Sequence, residues 1–320
     1  MAYFVRMRSI FIICVSVAII AGCGEKVPPP ITTYIEMDGS SSVFPIAEAV
    51  INDYNKLFPE IKFSLSLSGT SNGFNKFVQG KLEINNASRP MSQDEKDMCV
   101  QNGVEYLELI IANDAIVLAV NPKNTWCNNL SINDLQRIWS NDSIVLWSDL
   151  NPSWPVAPIN FYGPGRLSGT QELFFQTLYP SDAKHHRNVY TSEDHNELVM
   201  SVFRDSLALG YFALPYLHSN HQFAKSIGID DMDPINGEGP VLPSVESVNN
   251  QNYNPFQRPL YLYVNQEVLK SDTHFGFIKY FLAYVNKHSV DLGFAPISQI
   301  TLNNEIQKLN TERAKLISEK

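Results

Sequence analysis

The sequence predicts an α/β fold with two mostly parallel sheets. Short apolar or alternating runs, typical of strands, alternate along the chain with amphipathic runs of helix length. Loops rich in glycine and hydroxyl residues lie between a strand and the following helix at three places. The 320 residues, 44% of them apolar, suffice for a sizeable core and about two domains.

The first segment has the pattern of an export signal. Two arginines precede an apolar run at residues 10–22, which is too short to span a membrane and has the length of a signal-peptide core. Small residues directly before Cys23 resemble a bacterial lipobox, so we expect residues 1–22 to be removed and Cys23 to carry a lipid. A plain secretory signal is the alternative. Residues 23–30, with three consecutive prolines, are predicted to form a lipidated tether.

The elements that follow are predicted from periodicity, proline positions and capping residues. A proline directly after the apolar run at residues 110–120 favours a strand there, and Ser131 with Asp134 is typical of a helix start. Strands are predicted at residues 32–37, 62–67, 110–120, 159–162, 209–213 and 259–264. Helices are predicted at residues 45–58, 73–81, 131–139, 170–178, 274–286 and 300–317.

Charge and cysteine content restrict the function classes. The net charge of −9 argues against a nucleic-acid surface, which needs clustered cations. Removal of residues 1–22 takes away two arginines and no acid, which lowers the net charge to −11. Once Cys14 and Cys23 are assigned to the signal and the lipid site, Cys99 and Cys127 remain, and an exported protein favours one disulfide between them. Two buried free thiols are the alternative.

Three loops indicate binding of a small anion. Residues 38–45, 68–73 and 163–170 each place glycine and hydroxyl residues at a predicted helix N-terminus, where free N–H groups and the helix dipole favour negative charge. Any single loop could be a helix cap joined to a turn, but three in one α/β chain favour a site where strand ends meet helix starts. A P-loop lysine and a clean G-x-G-x-x-G motif are absent from the sequence, so the expected ligand is a small oxyanion.

Arg89 is the candidate source of positive charge. It follows polar turn residues at 85–88, and a guanidinium placed there can bind an oxyanion with two hydrogen bonds. The alternative is a surface arginine paired with Asp94 or Glu95.

Seven separated motifs together resemble the phosphate-binding lipoproteins of bacterial ABC phosphate importers, a branch of the type II periplasmic binding proteins. They are GSSSVFP (39–45), GTSNGF (69–74), NASRPM (86–91), YGPGRLSGT (162–170), TSEDHNELV (191–199), ALGYFALPY (208–216) and RPLYLYVN (258–265). The resemblance implies two lobes, each a mostly parallel sheet flanked by helices, that close on phosphate in the cleft between them. It implies lobe I at residues 31–115 and 258–320, and lobe II at 116–257, with crossing strands at 110–120 and 256–264.

The resemblance also implies a role. The chain would be a monomer, anchored on the extracytoplasmic face, that delivers inorganic phosphate to a membrane permease, with no catalysis, cofactor or metal. The implied phosphate-binding groups are Ser41, Ser42, the backbone N–H of Phe44, Thr70, Ser71, Arg89, Ser168, Gly169 and Thr170. The family also places a cysteine pair near positions 99 and 127.

The chain departs from the family pattern at three positions. Arg89 stands where many relatives have an aspartate that accepts the phosphate proton, and His195 stands where relatives often have an acid. Where the subgroup reads Gly-Thr-Asp-Ser-Gly-Thr, this chain reads GRLSGT (165–170), so an aspartate is missing and a cation, Arg166, is present. The first departure weakens the case for selecting protonated phosphate, so sulfate or molybdate remains an alternative ligand. A surface sensor or adhesin is an alternative role.

A serine hydrolase is the alternative from another function class. Residues 69–73 match G-x-S-x-G between a strand and a helix, which would make Ser71 a nucleophile. This hypothesis leaves the other two loops unexplained.

Overall fold

The computed structural model describes residues 33–140, 145–180 and 189–318. The predicted signal peptide, the Cys23 lipid site and the tether lie outside the described residues. Within the described part of the chain, none of the helices is both long and apolar enough to cross a membrane.

The six predicted strands and six predicted helices are present with ends shifted by a few residues, and further short strands and helices lie between them. The strands are β1 (Tyr34–Gly39), β2 (Lys62–Leu65), β3 (Ile84–Ala87), β4 (Tyr106–Val120), β5 (Asn129–Ser131), β6 (Asn160–Gly163), β7 (Tyr190–Thr191), β8 (Ala208–Ala213), β9 (Lys225–Ser226), β10 (Gly228–Asp230) and β11 (Gln257–Asn265). The helices are α1 (Phe44–Leu57), α2 (Thr70–Phe77), α3 (Gln93–Asn102), α4 (Ile132–Ser140), α5 (Trp147–Leu150), α6 (Gly169–Leu178), α7 (His195–Arg204), α8 (Leu214–Ser219), α9 (Val245–Asn249), α10 (Asp272–His288) and α11 (Gln299–Ser318).

Local chemistry sets the helix starts that matter for the site. Pro45 lies in the first turn of α1, where its missing N–H costs nothing. The Ser168 side chain caps α6 by accepting a hydrogen bond from the N–H of Thr170. The Asp194 side chain caps α7 by accepting one from the N–H of Asn196. The positions of these N-termini therefore follow from residues beside them.

The long strand β4 connects the two lobes. Tyr106–Ala115 pair antiparallel with β11, whereas Ile116–Val120 pair antiparallel with β8. The resulting strand order is β2-β1-β3-β11-β4-β8-β6-β7, with β9 also paired to β4. The two mostly parallel sheets that the sequence predicts therefore share one strand, because the uninterrupted β4 belongs to both. Apart from the antiparallel pairs that β4 and β11 make, the pairing within each lobe is parallel, β1 with β2 and β3, and β6 with β7 and β8.

The apolar cores follow two lobes, as the family resemblance implies. Two buried clusters draw on residues 35–112 and 260–316, and a third draws on residues 115–256 together with Ala295. We therefore propose lobe limits near residues 115 and 258. Parallel strands of each lobe then direct their carboxyl ends, and the helix N-termini that follow, toward the cleft.

The predicted Cys99–Cys127 disulfide is wrong. Both residues are free thiols, and both are buried. Cys99 is a residue of α3 and belongs to the same apolar cluster as Phe77 and Tyr263. Cys127 belongs to the separate core of the other lobe. A disulfide needs Cβ atoms about 4 Å apart, which residues in separate cores do not provide. The alternative of two buried free thiols is the one observed.

We expect these thiols to be unreactive in the folded protein. Burial raises the pKa of Cys99, and raises that of Cys127 to about 12, so the reactive thiolate is scarce at pH 8. The test uses a chain with Cys14 and Cys23 replaced by serine, kept free of reductant. A chromogenic disulfide reagent should react with no thiol in the folded protein and with both thiols after unfolding. Finding no thiol in the unfolded chain would restore the disulfide.

Candidate functional site

Four helix N-termini meet between the lobes. The Oγ of Ser42, just before α1, lies 3.0 Å from Oγ1 of Thr170 at the start of α6. The neighbouring Ser41 Oγ lies 3.3 Å from Nε2 of His195, the first residue of α7. Thr70, the first residue of α2, faces Gly169 on α6. The positive ends of four helix dipoles therefore face one small region, which favours an anion.

A buried ion pair lies beneath these helix starts. Nη2 of Arg258 donates to Ser42 Oγ and Thr170 Oγ1, each at 2.8 Å, and to Asp114 Oδ2 at 2.9 Å. Burial lowers the pKa of Arg258 and raises that of Asp114, and each partner's charge opposes the shift of the other. Among the described residues, Arg258 Nη1 and Asp114 Oδ1 have no hydrogen-bond partner. A buried cationic donor is therefore available beside the hydroxyls.

Gly169 allows the two lobes to approach closely. A Cβ atom at this position would lie 2.6 Å from Ser88 Oγ and 2.8 Å from Thr70 Oγ1. Those two oxygens are themselves 3.1 Å apart, and the N–H of Ser88 donates to Thr70 Oγ1. The glycine is thus required by space, since any larger side chain would enter the hydroxyl cluster.

The structure brings most of the predicted binding residues to this region. Ser41, Ser42, Thr70, Gly169 and Thr170 share the contacts described above. The N–H of Phe44, predicted to bind the ligand, donates instead to the carbonyl of Ser41 at 3.3 Å. Ser168 acts through its side chain as the α6 cap. Their contacts with a ligand stay predictions.

Arg89 lies in a network of opposite charge. Its guanidinium makes two 2.8 Å hydrogen bonds to Glu95 and an ion pair with Glu172 on α6. Its Nη2 also donates to Ser71 Oγ at 3.1 Å. The pairing with Glu95 that the alternative predicted is therefore observed, but the Arg89 side chain is only 10% exposed and is not a surface arginine. Because two carboxylates oppose its charge, Arg89 offers an anion less potential than Arg258 does.

Among the described residues, neither Ser71 nor Ser41 faces a group that can act as its base. Ser71 faces Arg89, which cannot accept a proton. Ser41 faces His195, but Nδ1 of that ring accepts a hydrogen bond from the N–H of Ala213 at 3.2 Å. The neutral ring then carries its proton on Nε2, facing Ser41, so it cannot remove the serine proton.

Sequence analysis did not assign Arg258, Asp114 or Ser88 to the site. A signal was present for the first two, since each is a charge in a strand that is otherwise largely apolar. Charged residues are rarely buried unless paired, so each implied a partner. Ser88 lies in the NASRPM motif directly before Arg89, and only the arginine was assigned to the site.

Comparison with known proteins gives a consistent set of relatives. A family model described as PBP superfamily domain matches residues 26–285. The chain is 35% identical over 289 residues to Protein SphX of Synechocystis sp., covering 89% of this chain and 84% of that protein. It is 31% identical over 278 residues to the phosphate-binding protein PstS of Staphylococcus saprophyticus, covering 86% and 84%. A candidate phosphate ABC transporter substrate-binding protein from Clostridium perfringens, solved with bound phosphate, matches with TM-score 0.70 and 24% identity over 83% of this chain and 100% of that one.

Proposed function

Because the chain belongs to the PBP superfamily, we propose that it is a substrate-binding protein that captures inorganic phosphate between its lobes and delivers it to an ABC importer. The observation that carries the proposal is the buried Arg258, whose Nη2 binds the Ser42 and Thr170 hydroxyls while its Nη1 has no partner among the described residues. The names of the PstS relative and the Clostridium perfringens protein support phosphate as the ligand.

Local groups must provide the affinity. The mature chain would carry a net charge of −11, so its overall field repels an anion. Helix N-termini, hydroxyl donors and one buried guanidinium act at short range, where exclusion of water makes them stronger. This requires the lobes to close around the ligand. Capture and release then depend on lobe movement, and the protein catalyses nothing.

We further propose that the protein is exported, anchored by a lipid on Cys23, and monomeric. The basic residues, the apolar run and the small residues before Cys23 support export and lipidation. An anchored receptor would stay near the permease that receives its phosphate. Export, lipid anchoring and the monomeric state require no cofactor or metal.

Calorimetric titration tests the ligand. Residues 24–320 should bind one inorganic phosphate per chain at micromolar or lower concentration, about −8 kcal/mol or stronger. Titrations with sulfate, arsenate and molybdate under the same conditions give the selectivity. Absence of phosphate binding at millimolar concentration would contradict the proposed function, and tighter binding of sulfate or molybdate would reassign the ligand.

A further inference from the structure

The hydrogen bonds of His195 determine where its proton lies. The ring is fully buried at the start of α7, with Nδ1 accepting from the N–H of Ala213 and Nε2 facing Ser41 Oγ. A backbone N–H can only donate, so Nδ1 holds no proton. The neutral ring therefore carries its proton on Nε2 and donates it to Ser41. The Ser41 oxygen accepts, and its own proton is left to donate elsewhere.

The ring stays neutral under ordinary conditions. Burial, together with the charge of Arg258, lowers the pKa of His195 to about 3. Among the described residues, Tyr216 is also near, with its ring centroid 4.9 Å from the imidazole, and the carboxylates that act on Tyr216 are the α7 cap Asp194, Asp114 and Glu48. The Tyr216 hydroxyl donates to the Ser41 carbonyl, so it does not compete for the Ser41 side chain.

Other hydroxyls in the site are held in the same way. Nη2 of Arg258 donates to Ser42 and Thr170, and Nη2 of Arg89 donates to Ser71. Guanidinium groups cannot accept, so these serine and threonine oxygens are acceptors toward the protein. Ser71 then keeps its proton for a ligand. Ser42 and Thr170, which bond to each other, keep one proton between them.

We propose that His195 is a positioning residue that fixes Ser41 as a hydrogen-bond donor, so that the site selects an oxyanion whose facing oxygen is unprotonated. The inference rests on the proposed function and defines which ionic form of the ligand the site takes. For phosphate that form is the dianion. The monoanion carries a second proton, which needs an acceptor, whereas the surrounding hydroxyls act as donors toward the ligand.

Two variants separate this role from a merely structural one. In His195→Gln the amide nitrogen can replace Nε2 and donate to Ser41, whereas in His195→Asn the amide oxygen can replace Nδ1 and accept from Ala213. We expect the Gln variant to bind phosphate within about threefold of wild type, and both the Asn variant and Ser41→Ala to bind about tenfold more weakly. The opposite order would mean that the Ala213 contact is what matters, and would overturn the proposal.

The pH profile provides a readout that loss of packing would not change. Between pH 5 and 8 the wild-type affinity for phosphate should rise with the fraction of dianion, while the affinity for sulfate, which has no proton to lose there, stays constant. In His195→Asn the Ser41 oxygen is free to accept a ligand proton, so the phosphate profile should flatten. An unchanged slope would contradict the proposal.

The same titrations distinguish failure of this inference from failure of the proposed function. Wild type that binds sulfate but not phosphate would contradict the proposed function. The affinities of the Gln and Asn variants for sulfate would then be compared to test the role of His195. Wild type that binds neither anion would contradict both.

Discussion

Replacing Arg258 with methionine will weaken phosphate binding by about 30-fold to several thousandfold. The guanidinium is the buried cation beside the hydroxyls, and loss of one member of a buried, hydrogen-bonded charge pair costs about 2–5 kcal/mol of binding free energy. The folded state will also lose about 3–5 kcal/mol, because the buried carboxyl of Asp114 loses its partner and must either bear an unpaired charge or take up a proton. Calorimetry measures the first effect, and urea unfolding the second.

A double variant separates binding from stability. Arg258→Met combined with Asp114→Asn removes both charges and keeps an oxygen to accept from the backbone N–H groups of Ala115 and Leu214. We expect it to regain most of the stability and none of the binding. Arg89→Met is the matched control, since Glu95 and Glu172 already oppose that cation, and its loss of affinity should be smaller. A larger loss from Arg89→Met than from Arg258→Met would contradict this assignment and restore Arg89 as the main anion contact.

The sequence predicts elements whose signals are local. The period of α1, the largely apolar run of β4 and the cap of α4 are readable because each depends on neighbouring residues. Strand β3 was not predicted, since two of its four residues are asparagines with low strand propensity. It is a strand because β1 and β11 bind it from both sides. Helix α3 was missed despite its Ser92–Glu95 capping box, which was present in the sequence.

The features of the site were likewise predictable where they are local in sequence and unpredictable where they depend on distant residues. Its hydroxyl loops are local features of strand-to-helix turns, and sequence analysis found all three. The Arg258–Asp114 pair depends on the register of β11 against β4, which sets the two residues opposite each other although 144 positions separate them. The tautomer of His195 depends on a backbone N–H of β8. Arg89 attracted the prediction because its surroundings are local, while Glu172, one of its partners, comes from the other lobe.

Replacing Gly169 with alanine will weaken phosphate binding by about tenfold to a hundredfold, since overpacking of a tight contact costs about 1–3 kcal/mol. The added Cβ would meet Ser88 Oγ at 2.6 Å and Thr70 Oγ1 at 2.8 Å, and both belong to the opposite lobe. The lobes can move apart to relieve the contact, so the cost falls on closure. The dissociation constant should therefore rise, while the thermal unfolding of the ligand-free protein changes little.

Gly276→Ala is the control because it adds the same methyl group to a helix away from the cleft. A Cβ there would lie 3.6 Å from the Tyr54 hydroxyl, an ordinary contact, inside α10. Alanine in a helix interior stabilises by about 0.5–1 kcal/mol relative to glycine, so this variant should unfold slightly later and bind phosphate as wild type does. If Gly169→Ala also bound as wild type does, the lobes would not approach at this point in the bound state. If Gly169→Ala lowered the unfolding temperature of the ligand-free protein, the contact would already exist without ligand. The added methyl group would then not report on lobe closure.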